Sequence, residues 1–333
     1  MPVKIILANF PLTRGERKKL KNETDNKYSI KTIDEIENSE LKYVESMLVD
    51  PQQKNPREFL SQKMFRQMPD LKFIQCVFAG VDWMNFEQIP ENVVVSGNVG
   101  AYASAMAEHI MGMILFFAKD FVGHHQRLKL GLFENRYSIQ LNDKIIGIIG
   151  AGGIGQAVAK LAKCFGMYTV GVNTSGTHVP HFDSVVPNRK LDSVLRRSDF
   201  VVLSIPLTVK TFHIINRKKL SLMKKNCILV NIARGYIINE KDLYTHLKQN
   251  PTFKFANDVW WRYPKTDEQF AQNFPFLELP NFLGTPHNSG FVPGREHLAV
   301  TEAIENLAKF AKKQKFKGLV NRGDYLGLKN LIR

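Results

Sequence analysis

The chain has 333 residues, of which 44% are hydrophobic, and its formal net charge at pH 7 is +15. This length and apolar content indicate a globular protein with two domains rather than one. The three cysteines, Cys76, Cys164 and Cys227, are far apart, which argues against a disulfide framework or a zinc site and fits a reducing cytoplasm.

The excess positive charge would attract anions, and both an acidic small substrate and a phosphorylated cofactor are anionic. The densest basic cluster lies at residues 309–317 and matches no nucleic-acid-binding pattern, so we interpret it as a solvated helix face. The longest apolar block, residues 110–118, is far short of the roughly 18 residues that a membrane span needs. We therefore expect a cytoplasmic protein that binds neither nucleic acid nor a membrane.

Short apolar runs alternate with helical patterns along most of the chain, which predicts an α/β fold with parallel strands. The candidate strands, in chain order, are residues 4–8, 73–77, 93–96, 145–149, 169–172, 200–204, 228–231 and 282–283. Residues 103–119 are apolar on nearly every side, which predicts a buried or interface helix. A last helical stretch, residues 298–315, follows the final strand.

A glycine-rich segment, "KIIGIIGAGGIGQAVAKLAKCFG", places Gly150, Gly152 and Gly155 in a GxGxxG frame. Three such glycines alone are weak evidence, but here they directly follow an apolar strand and directly precede an alanine-rich helix. In that context the first glycine permits a tight turn, the second lets backbone approach a pyrophosphate, and the third allows close packing of helix and strand. The sequence therefore predicts a dinucleotide site.

The next strand ends in "YTVGVNTSG", where a carboxylate would be expected to hold the adenosine ribose of NAD. Asn173 stands there instead and does not repel a 2′-phosphate, to which Thr174 and Ser175 could donate hydrogen bonds. This favours NADP over NAD, although an adjacent arginine is missing. NAD bound without the carboxylate stays open.

Four later segments occur in order: "SIPLTVKTFHIIN", "LVNIARGYIINEKDL", "NDVWWRYP" and "LGTPHNSG". With the glycine-rich segment they resemble the NAD(P)-dependent D-2-hydroxyacid dehydrogenase family, over about residues 73–290. The resemblance implies a two-domain α/β fold with doubly wound parallel sheets: a Rossmann nucleotide-binding domain and a flavodoxin-like substrate domain. It places the substrate domain at residues 1–98 and 293–333 and the nucleotide domain at residues 99–292.

The resemblance assigns Arg234 to orient a 2-keto or 2-hydroxy acid, a task that suits a planar guanidinium. It makes His287 the acid/base, because histidine titrates near working pH. It places Asp258 on the nicotinamide amide, and a turn role is the alternative. The further cofactor contacts that it implies are Gly153, Ile154, Ile205, Pro206, Thr211, Ile232, Ala233 and Gly290.

The segment "NDVWWRYP" departs from the family pattern, which has a glutamate five residues after the aspartate to hold the second nitrogen of the histidine. Tyr263 occupies that position. A carboxylate neighbour favours protonated imidazole, whereas tyrosine can orient the ring but cannot supply the charge. We expect His287 to be less protonated near neutral pH than in relatives with the glutamate, and therefore reduction to be favoured at mildly acidic pH.

The substrate lobe contains "FIQCVFAGVDWMNF", which resembles the family loop whose backbone N–H groups hold the substrate carboxylate. Ala79 and Gly80 match those positions, and a simple turn role for Gly80 is the alternative. The segment "VVVSGNVGAYASAMAEHIMGMI" matches the family's crossover into the nucleotide domain, where family members commonly dimerise, so the resemblance implies a homodimer. The pairs His124 with His125 and His178 with His181 lack further ligands at suitable spacing, so no metal site is expected.

Two functions are consistent with this sequence. The first is an active oxidoreductase that transfers a hydride between a nicotinamide cofactor and a small anionic 2-keto or D-2-hydroxy acid. The second is a cofactor-binding redox sensor with weak or no turnover. Formate-type oxidation, which needs no proton from a hydroxyl, stays open beside these two. Tyr263 favours the second function, and the retention of both Arg234 and His287 favours the first.

Overall fold

The structure is a computed structural model that describes residues 3–53, 56–265 and 267–332. The chain divides into two compact units: Met1–Ala101 with Val292–Arg333, and Tyr102–Phe291.

The strands are β1 Lys4–Ala8, β2 Tyr28–Thr32, β3 Val44–Val49, β4 Phe73–Cys76, β5 Val94–Ser96, β6 Ile145–Ile149, β7 Tyr168–Asn173, β8 Ser184–Pro187, β9 Phe200–Leu203, β10 Ile228–Asn231, β11 Lys254–Asn257 and β12 Phe282–Gly284. The α-helices are α1 Arg14–Glu23, α2 Pro56–Phe59, α3 Gln62–Gln67, α4 Ala103–Lys119, α5 Phe121–Lys129, α6 Gly153–Cys164, α7 Leu191–Arg197, α8 Arg217–Leu220, α9 Glu240–Gln249, α10 Arg295–Ala311 and α11 Leu328–Ile332.

The first unit contains a parallel sheet in the order β2-β1-β3-β4-β5. This is the flavodoxin-like doubly wound order, which reverses between β1 and β3. Helices α1 and α10 cover one face, where Leu20, Ile304 and Leu307 are buried and Phe73 stacks on Phe310 with ring centroids 4.1 Å apart. A second apolar cluster, which includes Phe59 of α2 and Phe65 of α3, belongs to the same unit.

The returning helix α10 belongs to this first unit through polar contacts as well as apolar ones. The Asn306 side chain donates to Gln75 Oε1 at 2.7 Å, and its Oδ1 accepts from the Lys317 amide at 2.8 Å. The helix runs from Arg295 to Ala311, whereas the sequence pattern predicts residues 298–315. It ends earlier because Lys313 adopts a positive φ of 56° and the Gln314 amide bonds back to the carbonyl of Lys309.

The second unit contains a seven-stranded parallel sheet in the order β12-β11-β10-β9-β6-β7-β8. Numbered from β6, this order contains the 3-2-1-4-5-6 arrangement of Rossmann folds, with one more strand at the edge. Helices α4 and α6 pack together over one face and bury Ile110, Ile114, Val158 and Ala162. The two-domain α/β fold predicted from the sequence is confirmed.

The structure also contains strands that the apolar runs do not predict, namely β2, β3, β8 and β11. The strands β2 and β8 lie at sheet edges and are only partly buried, so they need few apolar residues. In β3 the apolar run is interrupted by Glu45 and Ser46, which are nevertheless buried. Among the described residues, none of the helices is long and apolar enough to cross a membrane.

Candidate active site

Two loops that carry predicted nucleotide-binding residues, after β6 and after β9, lie where the strand order of the seven-stranded sheet reverses. In open α/β sheets, ligands bind outside the carboxyl ends of the strands at this kind of position. The Ser204 amide donates to the carbonyl of Ile149 at 2.8 Å, and its hydroxyl donates to the carbonyl of Gly150 at 2.8 Å. These bonds tie the loop after β6 to the loop after β9.

The glycines of the GxGxxG frame differ in what a side chain would meet. Gly150 has φ +109°, and a Cβ there would lie 2.5 Å from the carbonyl oxygen of Ser204. At Gly155 a Cβ would collide with the carbonyl oxygen of Gly150. At Gly152, by contrast, it would meet no described protein atom within 4 Å. Gly150 and Gly155 thus permit the local packing, and Gly152 leaves space open above the backbone.

Helix α6 begins at this open backbone. Gly152 is its N-cap and forms no side-chain cap, and the described first turn, which contains Gly153 and Ile154, has no acidic residue. Backbone N–H groups and the helix dipole at such a terminus favour an anion. The cradle therefore fits the pyrophosphate of a dinucleotide.

The loop after β7 is shaped by the side chain of Asn173. Its Nδ2 donates to the carbonyl of Thr177 at 2.8 Å, and its Oδ1 accepts from the Gly176 amide at 2.6 Å. Ser175 shares a 2.7 Å hydrogen bond with the Thr177 hydroxyl, and Thr174 is exposed. Asn173 therefore fixes the loop conformation, while Thr174 and Ser175 lie at its surface.

A cation that was not among the predicted site residues follows the strand that pairs beside this loop. Asn173 pairs with Pro187 of β8, and a Cβ at Gly176 would lie 2.6 Å from Pro187 Cδ, so the loop packs against the end of β8. Arg189 follows two residues later and is exposed. Arg189 is 16 residues beyond Asn173 in the chain, and only the pairing of β7 with β8 brings the end of β8, which Arg189 follows, beside the loop.

The loop after β9 contains Ile205, Pro206 and Thr211. The Thr211 hydroxyl donates to the carbonyl of Pro206 at 2.6 Å and accepts from the Thr208 amide at 2.8 Å. Thr211 thus closes the loop on itself, and Ile205 remains half-buried. The predicted cofactor contacts of these three residues stay predictions.

The loop after β10 carries Ile232, Ala233 and Arg234. Asn231, fully buried at the end of β10, makes two side-chain hydrogen bonds to this loop. Its Oδ1 accepts from the Ala233 amide at 3.1 Å, and its Nδ2 donates to the carbonyl of Arg234 at 3.0 Å. The Arg234 guanidinium donates through Nη1 to the carbonyl of Ala233 at 2.7 Å. Asn231 was not among the predicted site residues.

Gly235, in the loop that contains Arg234, packs closely against the segment after β11. A Cβ at Gly235 would lie 2.6 Å from the carbonyl carbon of Trp260 and 2.7 Å from the amide nitrogen of Trp261. Trp260 in turn donates through Nε1 to the carbonyl of Thr285 at 2.9 Å. The segments that contain Arg234 and His287 are thereby both packed against Trp260.

Asp258 anchors the loop that contains His287. Its carboxylate is fully buried: Oδ1 accepts from the Thr285 hydroxyl at 2.5 Å and from the Asn288 amide at 3.0 Å, and Oδ2 accepts from the Ser289 amide at 3.0 Å. His287, between these donors, has a φ of 58°, in the left-handed region that few non-glycine residues adopt. The carboxylate thus holds two backbone amides after the histidine and the Thr285 side chain before it.

Tyr263 lies beside His287, with ring centroids 5.5 Å apart and planes inclined by 43°. Its hydroxyl accepts a hydrogen bond from the Trp260 amide at 3.1 Å. The structure thus brings together the predicted pair of tyrosine and histidine. It also places Arg234, Asp258 and His287 on loops at the carboxyl ends of the adjacent strands β10, β11 and β12.

Three more predicted residues are placed as follows. Gly290 lies beside Tyr102, whose Cδ1 would be 3.2 Å from a Cβ at Gly290. Ala79 and Gly80 belong to the first unit, in the loop after β4, where the Asn98 amide donates to the carbonyl of Phe78 at 2.9 Å. A Cβ at Gly97 would lie 2.5 Å from the carbonyl oxygen of Ala79. The substrate role of this loop stays a prediction.

The described residues include no cluster of three or more histidine, cysteine, aspartate or glutamate side chains that could hold a metal ion. Cys76 and Cys227 are buried, and burial raises the pKa of the Cys76 thiol to about 12. This thiol is therefore protonated at neutral pH.

Comparison with known proteins gives consistent matches. Residues 111–289 match the family model described as D-isomer specific 2-hydroxyacid dehydrogenase, NAD binding domain. D-3-phosphoglycerate dehydrogenase of Methanocaldococcus jannaschii is 34% identical over 75% of this chain, but the match spans only 48% of that relative. Hydroxypyruvate reductase of Thermotoga maritima is 33% identical over 72% of this chain and 78% of its own length. A solved structure from Pyrobaculum aerophilum, provisionally assigned as a formate dehydrogenase, is 27% identical with a TM-score of 0.80 and covers 96% of this chain and 99% of its own.

Proposed function

The chain belongs to the D-isomer-specific 2-hydroxyacid dehydrogenase family, and from that membership we propose that it interconverts a 2-keto acid and a D-2-hydroxy acid. The observation that carries the proposal is the anchoring of the His287 loop by Asp258, because an acid/base must be held in one geometry to transfer a proton. The names of the curated relatives, a phosphoglycerate dehydrogenase and a hydroxypyruvate reductase, support this substrate class.

Different residues of the second unit would have separate roles in the reaction. The bound nicotinamide would supply or accept the hydride. Arg234, half-buried after β10, would hold the carboxylate of the substrate and polarise the carbonyl that is reduced. His287 would give a proton to the carbonyl oxygen during reduction and take it back during oxidation. Tyr263 would orient the imidazole without adding a charge.

The cofactor would be held by the cradle of Gly150, Gly152 and Gly155, with the helix terminus of α6 facing the pyrophosphate. We favour NADP over NAD. The neutral Asn173 and the exposed Arg189 at the end of the neighbouring strand support this preference, because a guanidinium can pair with a 2′-phosphate.

The first unit, Met1–Ala101 with Val292–Arg333, would be the substrate domain. In that domain the backbone N–H groups of Ala79 and Gly80 would bind the substrate carboxylate. Such a role is compatible with their position in a loop that leaves Ala79 exposed.

We also propose a homodimer formed through the second unit. Helix α5 has no buried residue among its nine described positions, although it contains Phe121, Val122 and Leu128, each more than half exposed. Phe133 is 87% exposed and Tyr137 is fully exposed shortly after it. These five exposed apolar side chains fall within 17 residues of the sequence, and clustered exposed apolar residues favour an interaction site.

The test is the oxidation of NADPH and NADH by the purified chain with glyoxylate, hydroxypyruvate, branched and phosphorylated 2-keto acids, at pH 5.5 and 7.5. We expect turnover with at least one of these acids and a loss of about 10² to 10⁴ in kcat for H287Q, the range expected when an acid/base is removed. Absence of turnover with every acid, despite measurable dinucleotide binding, would overturn the proposal and favour formate oxidation or redox sensing.

A further inference from the structure

His109 of helix α4 lies against the anchor of the His287 loop, although nothing in the sequence patterns links it to the site. Its Nε2 is 3.3 Å from the Thr285 hydroxyl and 4.0 Å from Asp258 Oδ1. Helix α4 packs against β10 and β11, which brings His109 to the carboxyl end of β11, where Asp258 follows.

The hydrogen bonds fix which nitrogen of His109 carries a proton. The Thr285 hydroxyl has one hydrogen, and it donates that hydrogen to Asp258 Oδ1 at 2.5 Å, since a carboxylate can only accept. Towards His109 the hydroxyl can therefore only accept. Nε2 of His109 must be the donor, so the imidazole is protonated at Nε2.

This donor completes a chain of hydrogen bonds from α4 to the backbone beside His287. His109 donates to Thr285, Thr285 donates to Asp258, and Asp258 accepts the amides of Asn288 and Ser289. The carboxylate is completely buried, and a buried carboxylate needs donors or a nearby cation to offset its desolvation. His109 supplies a hydrogen-bond donor to Thr285, and its Nε2 lies 4.0 Å from Asp258 Oδ1.

These hydrogen bonds matter because the backbone of His287 is strained. A non-glycine residue in the left-handed region persists only where the surroundings hold it there. If the Thr285 hydroxyl lost its donor from α4, it could rotate away from Asp258, and the carboxylate would lose one of its three hydrogen bonds to the loop. The imidazole of His287 would then be held less firmly.

We infer that His109 is a positioning residue for the reaction: through Thr285 and Asp258 it holds the loop that presents the His287 imidazole. The inference rests on the proposed role of His287 as the acid/base. His109 itself needs no contact with substrate or cofactor, and its side chain is 24% exposed, so a replacement leaves little buried volume empty.

Two amide variants test the direction of the bond. In H109Q the side-chain NH₂ can reach the place of the imidazole Nε2, whereas in H109N it reaches only the place of Nδ1 and cannot donate to Thr285. We expect H109N to lower kcat about tenfold with the KM for cofactor and substrate changed less than about twofold, since a misplacement of 1 Å can cost on the order of 10² in rate. H109Q should recover most of that loss.

The thermal midpoint of each variant separates positioning from folding. Equal losses of kcat in H109Q and H109N, accompanied by equal falls in the midpoint, would show a structural role only and overturn the inference. Wild-type kcat in H109N would overturn it as well.

A second measurement does not depend on turnover. Nitrogen-15 NMR of the enzyme labelled at histidine should show His109 protonated at Nε2 in the wild type, and T285V should remove this preference. If the wild type shows no turnover with any 2-keto acid, the proposed function fails while this measurement still decides the hydrogen bond. If the ring is protonated at Nδ1 alone in the wild type, the inference fails whatever the activity.

Discussion

The ring of Tyr263 lies against the ring of His287, with centroids 5.5 Å apart and planes inclined by 43°. A tyrosine in this position can restrict the motion of the imidazole, and its hydroxyl is bonded to the backbone of Trp260 at 3.1 Å. It cannot supply the negative charge that the family's glutamate would supply. If His287 is the acid/base, as we propose, this pair would keep the imidazole oriented but would lack the carboxylate that favours its protonated form.

Restoring the carboxylate should change how the rate depends on pH. In Y263E a carboxylate near His287 would favour imidazolium, which is the form that donates a proton during reduction. We expect the reductive kcat at pH 7.5 to rise about three- to tenfold, because one pKa unit is a tenfold change in the protonated-to-neutral ratio. At pH 5.5, where an imidazole needs less help from a carboxylate to be protonated, the change should be smaller.

The matched variants are Y263Q, which offers a polar side chain without charge, and Y263F, which removes only the hydroxyl. Neither should raise the rate at pH 7.5. A wild-type reductive rate that stays constant from pH 5 to 8 would contradict the idea that the missing charge limits the reaction.

Arg234 should not be replaceable by lysine. A guanidinium can hold a carboxylate with two parallel hydrogen bonds, and an ammonium cannot. We expect R234K to lower kcat/KM for the 2-keto acid about 100-fold, on the scale of removing one transition-state donor. R262K is the control, because Arg262 lies in the nearby Trp261–Tyr263 segment with an exposed side chain, and its steady-state constants should equal those of the wild type.

Arg189 should govern the choice between the two cofactors. Loss of a charge-assisted hydrogen bond of about 1.5 to 3 kcal/mol corresponds to roughly 10- to 100-fold in affinity. In R189A we expect kcat/KM for NADPH to fall by at least about tenfold while the value for NADH changes less than twofold. R196A removes an exposed arginine near the far end of α7 and should alter neither value. An equal fall with both cofactors would refute a 2′-phosphate contact.

The exposed aromatic residues after α5 should be needed for dimerisation. We expect sedimentation of the wild type to give twice the 38.0 kDa chain mass and the double variant F133E/Y137E to sediment as a single chain. L319E, which places the same charge on an exposed leucine of the first unit, should remain dimeric. A wild-type enzyme that is monomeric at micromolar concentration would exclude the proposed interface.

Glu45 should make the first unit sensitive to acid. Burial opposes its ionisation, but hydrogen bonds from Lys72, Tyr28 and Lys4 outweigh that effect and lower the pKa of Glu45 to about 2. Because the folded-state pKa lies below the unfolded value, the stabilisation is present above about pH 5 and is lost as the pH falls towards 2.

Urea unfolding from pH 7 to 3 would measure this contribution. We expect E45Q to lower the free energy of unfolding by on the order of 2 kcal/mol at pH 7 and by less at pH 3. The exposed Glu91 provides the control variant E91Q, which should unfold as the wild type does. An E45Q curve parallel to that of the wild type over the whole range would argue against the assigned role.

Where one local pattern decides an element, the sequence predicted it well. The apolar run of β6 and the helix α4 have the predicted bounds, because a continuous apolar run and an all-round apolar helix need no knowledge of their partners. The strand β11, "KFAN", has too few apolar residues to be recognised, and it forms because β10 and β12 pair with it on both sides. Glu45 interrupts the pattern of β3 for a similar reason, since its partners come from β1, from β2 and from the residue before β4.

The sequence by itself determined the fold class, the glycine cradle and the family motifs with Arg234, Asp258 and His287, because these depend on residue types at fixed spacing along the chain. Only the tertiary structure showed that Asn231 hydrogen-bonds the loop that contains Arg234, and that Arg189 follows the strand beside Asn173. It also showed that His109 reaches Asp258 through Thr285. His109 and Thr285 are separated by 176 residues, and Asp258 and Ser289 by 31. Contacts over such separations are set by which strands become neighbours in the sheet and which helix packs over them, and no local periodicity encodes that order.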